Sequence, residues 1–528
     1  MKSLKELNFD ELTVEQKIGL VTVSSVRKKE DFEFTLELIK KRAVGAVWIY
    51  PYSDYNHEES MKAMRMAADY PIIFIADAEA GMGEHTIGRQ NALGIADSEE
   101  LAYTFGKITA IEARRCGINV VCNPILDMAD GNCACGTNIR AIGNNKEKVA
   151  KIAAAEAKGM HDGGVLTVGK HYPGSGTEEY IDSHMAETGS DATLEELLDY
   201  NLYPYKYLID RGLLDGVMTR HTRFYKIDDY YPASLSKKVI NIIREKLGFD
   251  GFCVTDALPM MGIVARFGTE KSKGMSIAAG NDLALVFGDP RREYEIMKKC
   301  YAEGVFTDEE LDRAVKTVLY TQHKLMLLDE SAVITEEDEA NFRRINTDAI
   351  YERCDDGVSE TISKDGKHLF AILTDLDVNC DALGKIAVDT ITNHWYKPER
   401  IMEMLDNKFP NSRTYAIKEY PSRLDVAKLL DAATQYDDVV FVTYFNSAPY
   451  LGREMLSARI ISIFDAMQKT NRISTVMHFG NPYVLEDLAH VSRIIIGPAS
   501  ENAAESAINV LVGEYPAKGV LTYDIKLK

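Results

Sequence analysis

Sixteen residues, Gly169 to His184 (GKHYPGSGTEEYIDSH), hold two of the chain's eleven histidines, a Lys170-His171 pair, a Pro-Gly turn and an Asp182-Ser183-His184 ending. The turn residues break any single helix or strand, so the ending of this stretch is set on a loop. Histidine gains and loses charge near neutrality, which suits it to hand a proton to a leaving group and take one back. An aspartate two residues away can hydrogen-bond the imidazole and fix which ring nitrogen carries the proton. Asp256 ends the run GFCVT, and Arg220-His221 end the run GVMT. A carboxylate, an imidazole and several cations at the ends of apolar runs are the means of a group transfer on a polar substrate. Lys170 leaves a second chemistry open, because an amine at a strand end inside a barrel can form a Schiff base with a carbonyl substrate.

Apolar segments that read as strands are GLVTVSS (19–25), VGAVWIY (44–50), PIIFIAD (71–77), INVVCNP (118–124), GVLTVGKH (164–171), GVMTRH (216–221), GFCVTD (251–256) and DLALVF (282–287). Helical spacing fills the intervals, as in SEELAYTFGKITAIEARRCG and KKVINIIREKLG. Near-continuous apolar strands alternating with helices belong to a parallel sheet covered on both faces. Eight such units predict a (β/α)₈ TIM-type barrel over residues 1–335, with a doubly wound open sheet as the structural alternative. Asp77, Asp127, Lys170, His171, Arg220, His221 and Asp256 all fall where apolar strands stop. Polar residues are ordinary at any one strand end, but in a barrel these ends converge on one mouth, where active sites form.

The charged stretch 336–365 reads as a helical connector. A second βα series follows over 366–528, with candidate strands HLFAILTD (368–375), VVFVTYF (439–445), ISTVMHFG (473–480) and RIIIGPA (493–499), and predicts a smaller α/β sandwich domain.

A chain of 528 residues with 46% hydrophobic and 27% charged residues is globular in character. Its net charge of −20 disfavours a phosphate backbone, so nucleic acid is not expected as a partner. The opening MKSLKELNFDELTVEQKIGL lacks the apolar core of a signal peptide and no run of about twenty apolar residues follows, so a cytoplasmic location without a membrane partner is expected. The eight cysteines have no regular spacing and read as free thiols. Cys133-Ala-Cys135 has no matched second pair, and no metal site is expected.

The stretch KHYPGSGTEEYIDSH resembles the KHFPGHG…DSH signature of family 3 glycoside hydrolases, in their β-N-acetylglucosaminidase branch. REKLGFDGFCVTDALPMMG (244–262) is similar to the family's nucleophile motif, and IADAEAGMG (75–83) to its Asp-x-Glu-x-Gly substrate loop. NPILDM (123–128), NIRAIG (138–143), YPASLS (231–236) and AAGNDLAL (278–285) fall in the family's order. FGNPY (479–483) and AKGVLTYDI (517–525) look like its C-terminal sandwich domain, so the resemblance runs from about Leu12 to Ile525. Two departures stand out: Ser175 replaces the histidine of Pro-Gly-His-Gly, and the loop to His184 is one residue longer.

The resemblance implies a retaining exo-β-glycosidase acting on terminal β-N-acetylglucosaminides, and in some members on β-glucosides, with no cofactor. Asp256 would be the nucleophile, His184 the acid/base and Asp182 its orienting partner. Asp77, Arg140, Lys170, His171 and His221 match positions that bind sugar hydroxyls. Most retaining enzymes use two carboxylates about 5 Å apart. A histidine in place of one of them would not repel an anion, so inorganic phosphate is an expected partner beside water, and phosphorolysis an alternative main activity. A catalytically silent sugar-binding protein is the remaining alternative. Oligomeric state is not legible.

Overall fold

The computed structural model describes residues 4–50, 57–129, 139–174, 181–359, 361–373, 378–380, 386–388, 397–445, 455–470 and 472–527. Cys133, Cys135 and Ser175 lie outside the described residues. The chain forms two compact units. The first comprises residues up to Thr86, Ala102–Met128 and Val149–Asp338; the second comprises Ile87–Leu101, Ala129–Lys148 and the chain from Glu339 onward.

In the first unit the eight expected strands are present as β1 (Thr22–Ser25), β2 (Ala46–Trp48), β3 (Ile73–Ala76), β4 (Val120–Val121), β5 (Leu166–Tyr172), β6 (Gly216–Thr219), β7 (Phe252–Thr255) and β8 (Ala284–Leu285). They pair in parallel in chain order from β1 to β7, and β8 lies beside β1. A parallel bridge between Val254 and Leu283 joins β7 to β8, which gives the barrel and not the open sheet.

The strand period of two decides what fills the barrel. Val23, Ala46, Trp48, Ile73, Ile75, Val120, Leu166, Val168, Met218, Phe252, Val254 and Leu285 make one buried interior cluster. In the same phase, three inward-facing rows end in a charged group: Ile73-Ile75-Asp77, Leu166-Val168-Lys170 and Phe252-Val254-Asp256. An apolar plug therefore underlies a polar mouth.

Helices cover the outside. Lys237–Glu245 begins at Ser236, whose hydroxyl accepts from the Val239 N–H at 3.2 Å, and buries Val239, Ile240, Ile242 and Ile243 on one face. Asp308–Leu325 starts with a reciprocal Thr307/Glu310 cap and buries Leu311, Ala314, Val315 and Val318. No helix among the described residues is long and apolar enough to cross a membrane.

The second unit is built on β9 (Tyr351–Cys354), β10 (His368–Leu373), β11 (Arg413–Ile417), β12 (Asp438–Phe445), β13 (Ile473–Gly480) and β14 (Arg493–Gly497), in the order β9-β14-β13-β12-β10-β11. All pairs are parallel except β9 with β14. Apolar clusters on both faces of the sheet make it a sandwich of helices about a sheet. Two of its strands are absent from the reading of the sequence. β9 (YERC) and β11 (RTYAI) are edge strands whose side chains are mostly not buried, so neither carries an apolar run.

Candidate active site

Asp256 stands one residue past β7. Its backbone N–H donates to the Thr219 carbonyl at 2.8 Å, and its Oδ1 accepts from the Ala257 N–H at 2.7 Å. Burial alone would raise this carboxyl. The charges of His171, His221 and His184, with the Ala257 N–H, outweigh it and hold Asp256 well below the usual carboxylate range.

His184 and Asp182 form the dyad expected on the loop. Asp182 is 7% exposed, and its Oδ1 lies 2.7 Å from His184 Nδ1 while also accepting the His184 backbone N–H at 2.9 Å. A carboxylate against Nδ1 assigns the hydrogen there. The loop closes on itself through the Met185 and Ala186 N–H groups to the Asp182 carbonyl, at 2.9 and 3.0 Å. It is fastened to the chain beyond Asp256 by Met261 N–H to the His184 carbonyl and Gly262 N–H to the Ser183 carbonyl. Glycine is needed at 262, since a methyl there would sit 2.9 Å from the Ser183 oxygen and 3.2 Å from that of Ala186.

Lys170 is 1% exposed and its Nζ lies 2.5 Å from Asp77 Oδ1 and 2.6 Å from Glu79 Oε1. Asp77 keeps half of its side chain open to solvent. His171 sits where the pairing of β5 with β6 shifts register between Lys170 and Tyr172. Such an irregularity re-aims a side chain, and Asp127 receives this one: its Oδ2 lies 2.6 Å from His171 Nδ1 and accepts the His171 backbone N–H at 3.1 Å. Arg220 Nη1 reaches the other oxygen of the fully buried Asp127 at 3.3 Å.

His221 is fully buried, with Nε2 3.0 Å from the Ala257 carbonyl and Nδ1 2.8 Å from the Ser234 hydroxyl. A carbonyl only accepts, so Nε2 carries the hydrogen and Ser234 donates to Nδ1. Burial pushes the His221 pKa down and favours this neutral form. Both ring nitrogens are thus engaged within the protein. Arg140 lies on a turn of the second unit and is half-buried.

Ionised carboxylate, Asp-backed imidazole and a ring of hydrogen-bonding cations at one barrel mouth agree with a comparison to known sequences. The profile of the glycosyl hydrolase family 3 N-terminal domain matches residues 13–321. The chain belongs to glycosyl hydrolase family 3.

As a family 3 enzyme it is similar to a β-hexosaminidase of Tolumonas auensis, 29% identical over 261 residues that cover 47% of this chain and 77% of the relative. A family 3 β-N-acetylglucosaminidase from Paenibacillus sp. superposes with a TM-score of 0.81 at 23% identity, covering 98% of this chain and all of that one. A β-glucoside phosphorylase superposes equally well, with a TM-score of 0.81 at 20% identity over 98% of this chain and 95% of its own. At these identities the two solved structures bear on the fold alone. Family membership sets aside the Schiff-base reading of Lys170, and its ammonium, held between two carboxylates, agrees.

Three groups in contact with these residues were not singled out from sequence: Glu79, Ser234 and the carbonyl of Ala257. Glu79 is the one the chain advertises, lying two residues after Asp77 in the quoted Asp-x-Glu-x-Gly loop. Ser234 and Ala257 meet His221 only through folding, 13 and 36 residues away in sequence.

Proposed function

We propose that the chain is a retaining exo-β-glycosidase that cleaves terminal β-N-acetylglucosaminides, and β-glucosides less well, through a glycosyl-aspartate released by water or inorganic phosphate. The observation that carries this reading is the pairing of His184 with Asp182 at 2.7 Å on a loop fastened to the chain just beyond the strand-end carboxylate of Asp256.

In the first step an Asp256 oxygen bonds to the anomeric carbon as the bond from that carbon to the aglycone oxygen breaks. The leaving oxygen takes the proton from His184 Nε2. Asp182 stabilises the charged imidazole beforehand and holds the ring in place. In the second step water attacks the anomeric carbon, Asp256 leaves as a carboxylate, and the water's proton returns to Nε2. Phosphate can take the place of water because the imidazole is neutral at this stage, where a carboxylate base would repel the anion. The phosphorylase among the fold neighbours makes that second acceptor worth testing.

Asp77, with its open carboxylate edge, and His171, held by Asp127 through Nδ1, are assigned to sugar hydroxyls; Lys170 and Arg140 supply positive field or further hydrogen bonds. His221 acts through the Ala257 carbonyl, to which it donates beside Asp256.

The test is turnover of an aryl β-N-acetylglucosaminide with and without millimolar phosphate, read by product. First-formed sugar of β configuration, joined by sugar 1-phosphate when phosphate is added, is the expected result. A first-formed α product, or no cleavage of aryl N-acetylglucosaminides and glucosides alike, overturns the reading. Free sugar alone in both arms removes phosphate from it.

A further inference from the structure

Five of the large apolar side chains exposed on the described surface, Ile181, Met185, Tyr225, Tyr230 and Met261, come from the three loops that follow β5, β6 and β7. Scattered apolar residues need no explanation, but a group of them beside a reacting centre does. Met185 follows His184 in the chain, and Met261 is hydrogen-bonded to the His184 carbonyl. Both are about half exposed, at 51% and 45%.

Behind them the rings are organised. Phe267 stacks on Tyr231 at 5.7 Å between centroids with 25° between planes, and Tyr230 meets both edge-on, at 4.7 Å from Tyr231 and 6.0 Å from Phe267. The Arg266 guanidinium lies 4.4 Å from the Tyr230 ring centre and 3.1 Å from the Glu187 carboxylate. Arg223 contacts that same oxygen at 3.1 Å and lies 4.7 Å from the Tyr225 ring. Two cations, one carboxylate and two tyrosine faces thus satisfy one another and brace the rings. What remains turned outward is ring and thioether surface.

We propose that this surface is the aglycone site, and that the occupant it selects is an apolar one, an aryl or alkyl group, in place of a second sugar. The inference rests on His184 being the acid proposed above: the leaving oxygen must then sit at His184 Nε2, and the group attached to it continues past Met185 and Met261. A second sugar would present hydroxyls on its edges, and the charged groups of the patch, Arg223, Arg266 and Glu187, are already paired with one another. A flexible thioether beside a braced ring accommodates planar and chain-like apolar groups alike.

The measurement is calorimetric binding of alkyl 1-thio-β-N-acetylglucosaminides, and of the matching glucosides, from methyl to octyl. The thio linkage resists cleavage and chain length changes nothing at the sugar, so the slope with length reads the aglycone surface alone. The dissociation constant is expected to fall about three- to fourfold per methylene over the first several carbons. Met261→Ser and Tyr230→Ser should each flatten that slope, while Tyr320→Ser, an exposed tyrosine on the barrel's covering helix Asp308–Leu325, should leave it as it is. A flat series in the unaltered protein, or a slope unmoved by both loop variants, overturns the inference. Turnover of an aryl glycoside in the same preparation separates the two ideas. Turnover with a flat series retires the apolar site and keeps the glycosidase; a sloping series without turnover strikes at the acid assignment and keeps the apolar site.

Discussion

The backbone N–H of Met261 donates to the His184 carbonyl at 3.2 Å, so the loop carrying His184 is fastened to the chain five residues beyond Asp256. The next residue, Gly262, leaves no room for a Cβ against Ser183 and Ala186. Gly262→Ala should push the loop outward and lower kcat by about ten- to a hundredfold, the scale of an ångström's misplacement of a catalytic group. Circular dichroism and melting temperature should stay near those of the parent. An unchanged kcat would mean that the loop position seen here is not the working one.

Asp256→Asn removes the carboxylate proposed as nucleophile and keeps the shape. Turnover should fall at least ~10³-fold, and a 2-fluoro glycoside should leave no adduct on the protein. In the parent, the depressed pKa of Asp256 keeps it ionised as pH falls through the ordinary carboxylate value of ~4. Trapping by a fluoro sugar with an excellent leaving group needs no acid, so its rate should stay level from pH 7 to 4.5. A fall in trapping centred near pH 5 would place the nucleophile elsewhere.

His184→Ala should cost far less with nitrophenyl glycosides than with methyl glycosides or disaccharides, because a good leaving group needs little protonation. A difference of about a hundredfold between the two classes is expected. Asp182→Ala should follow the same pattern more weakly, since the imidazole remains but loses its orientation and its stabilising charge. Equal losses across leaving groups would sink the acid assignment.

In the second unit, His478 is fully buried, with Nδ1 2.9 Å from the Thr443 hydroxyl and Nε2 2.7 Å from the Asn481 carbonyl; burial pushes its pKa down to about 4. An unfolded chain would titrate it at ~6.5, so the unfolded state binds the extra proton as pH drops through the interval between. Its contribution is complete above pH 6.5 and is lost toward pH 4. The loss amounts to about 2 to 3 kcal/mol by pH 4.5. Urea unfolding at pH 7 and 4.5 should show His478→Gln less stable at neutrality yet less acid-sensitive by that amount. Equal acid sensitivity in both would contradict it.

What the sequence disclosed and what it hid divide along physical lines. Asp77, Lys170 and Asp256 were legible because each continues an alternating apolar row, and the strand period aims them inward together. Asp182 and His184 were legible because their contact spans two residues. The pairing of His171 with Asp127 joins positions 44 apart and depends on a register irregularity that no local pattern announces. Edge strands β9 and β11 escaped notice because one side of each meets water, which removes the apolar run by which the other strands were found.

The second unit takes two excursions from within the barrel's stretch of sequence, and late residues fasten them. Val520 N–H donates to the Ile95 carbonyl at 2.8 Å, Thr522 Oγ1 donates to the Ile142 carbonyl at 3.1 Å and its own carbonyl accepts from Asn144 N–H at 3.0 Å, and the Tyr523 hydroxyl reaches the Ala141 carbonyl at 3.3 Å. During synthesis the ribosome therefore releases Ile87–Leu101 and Ala129–Lys148 hundreds of residues before their partners exist. Arg140 rides on the second excursion, so its setting is completed only after the last strands have emerged. The nascent chain would have to carry these segments unsupported, and a chain stalled or clipped before residue 519 would lack every one of these bonds.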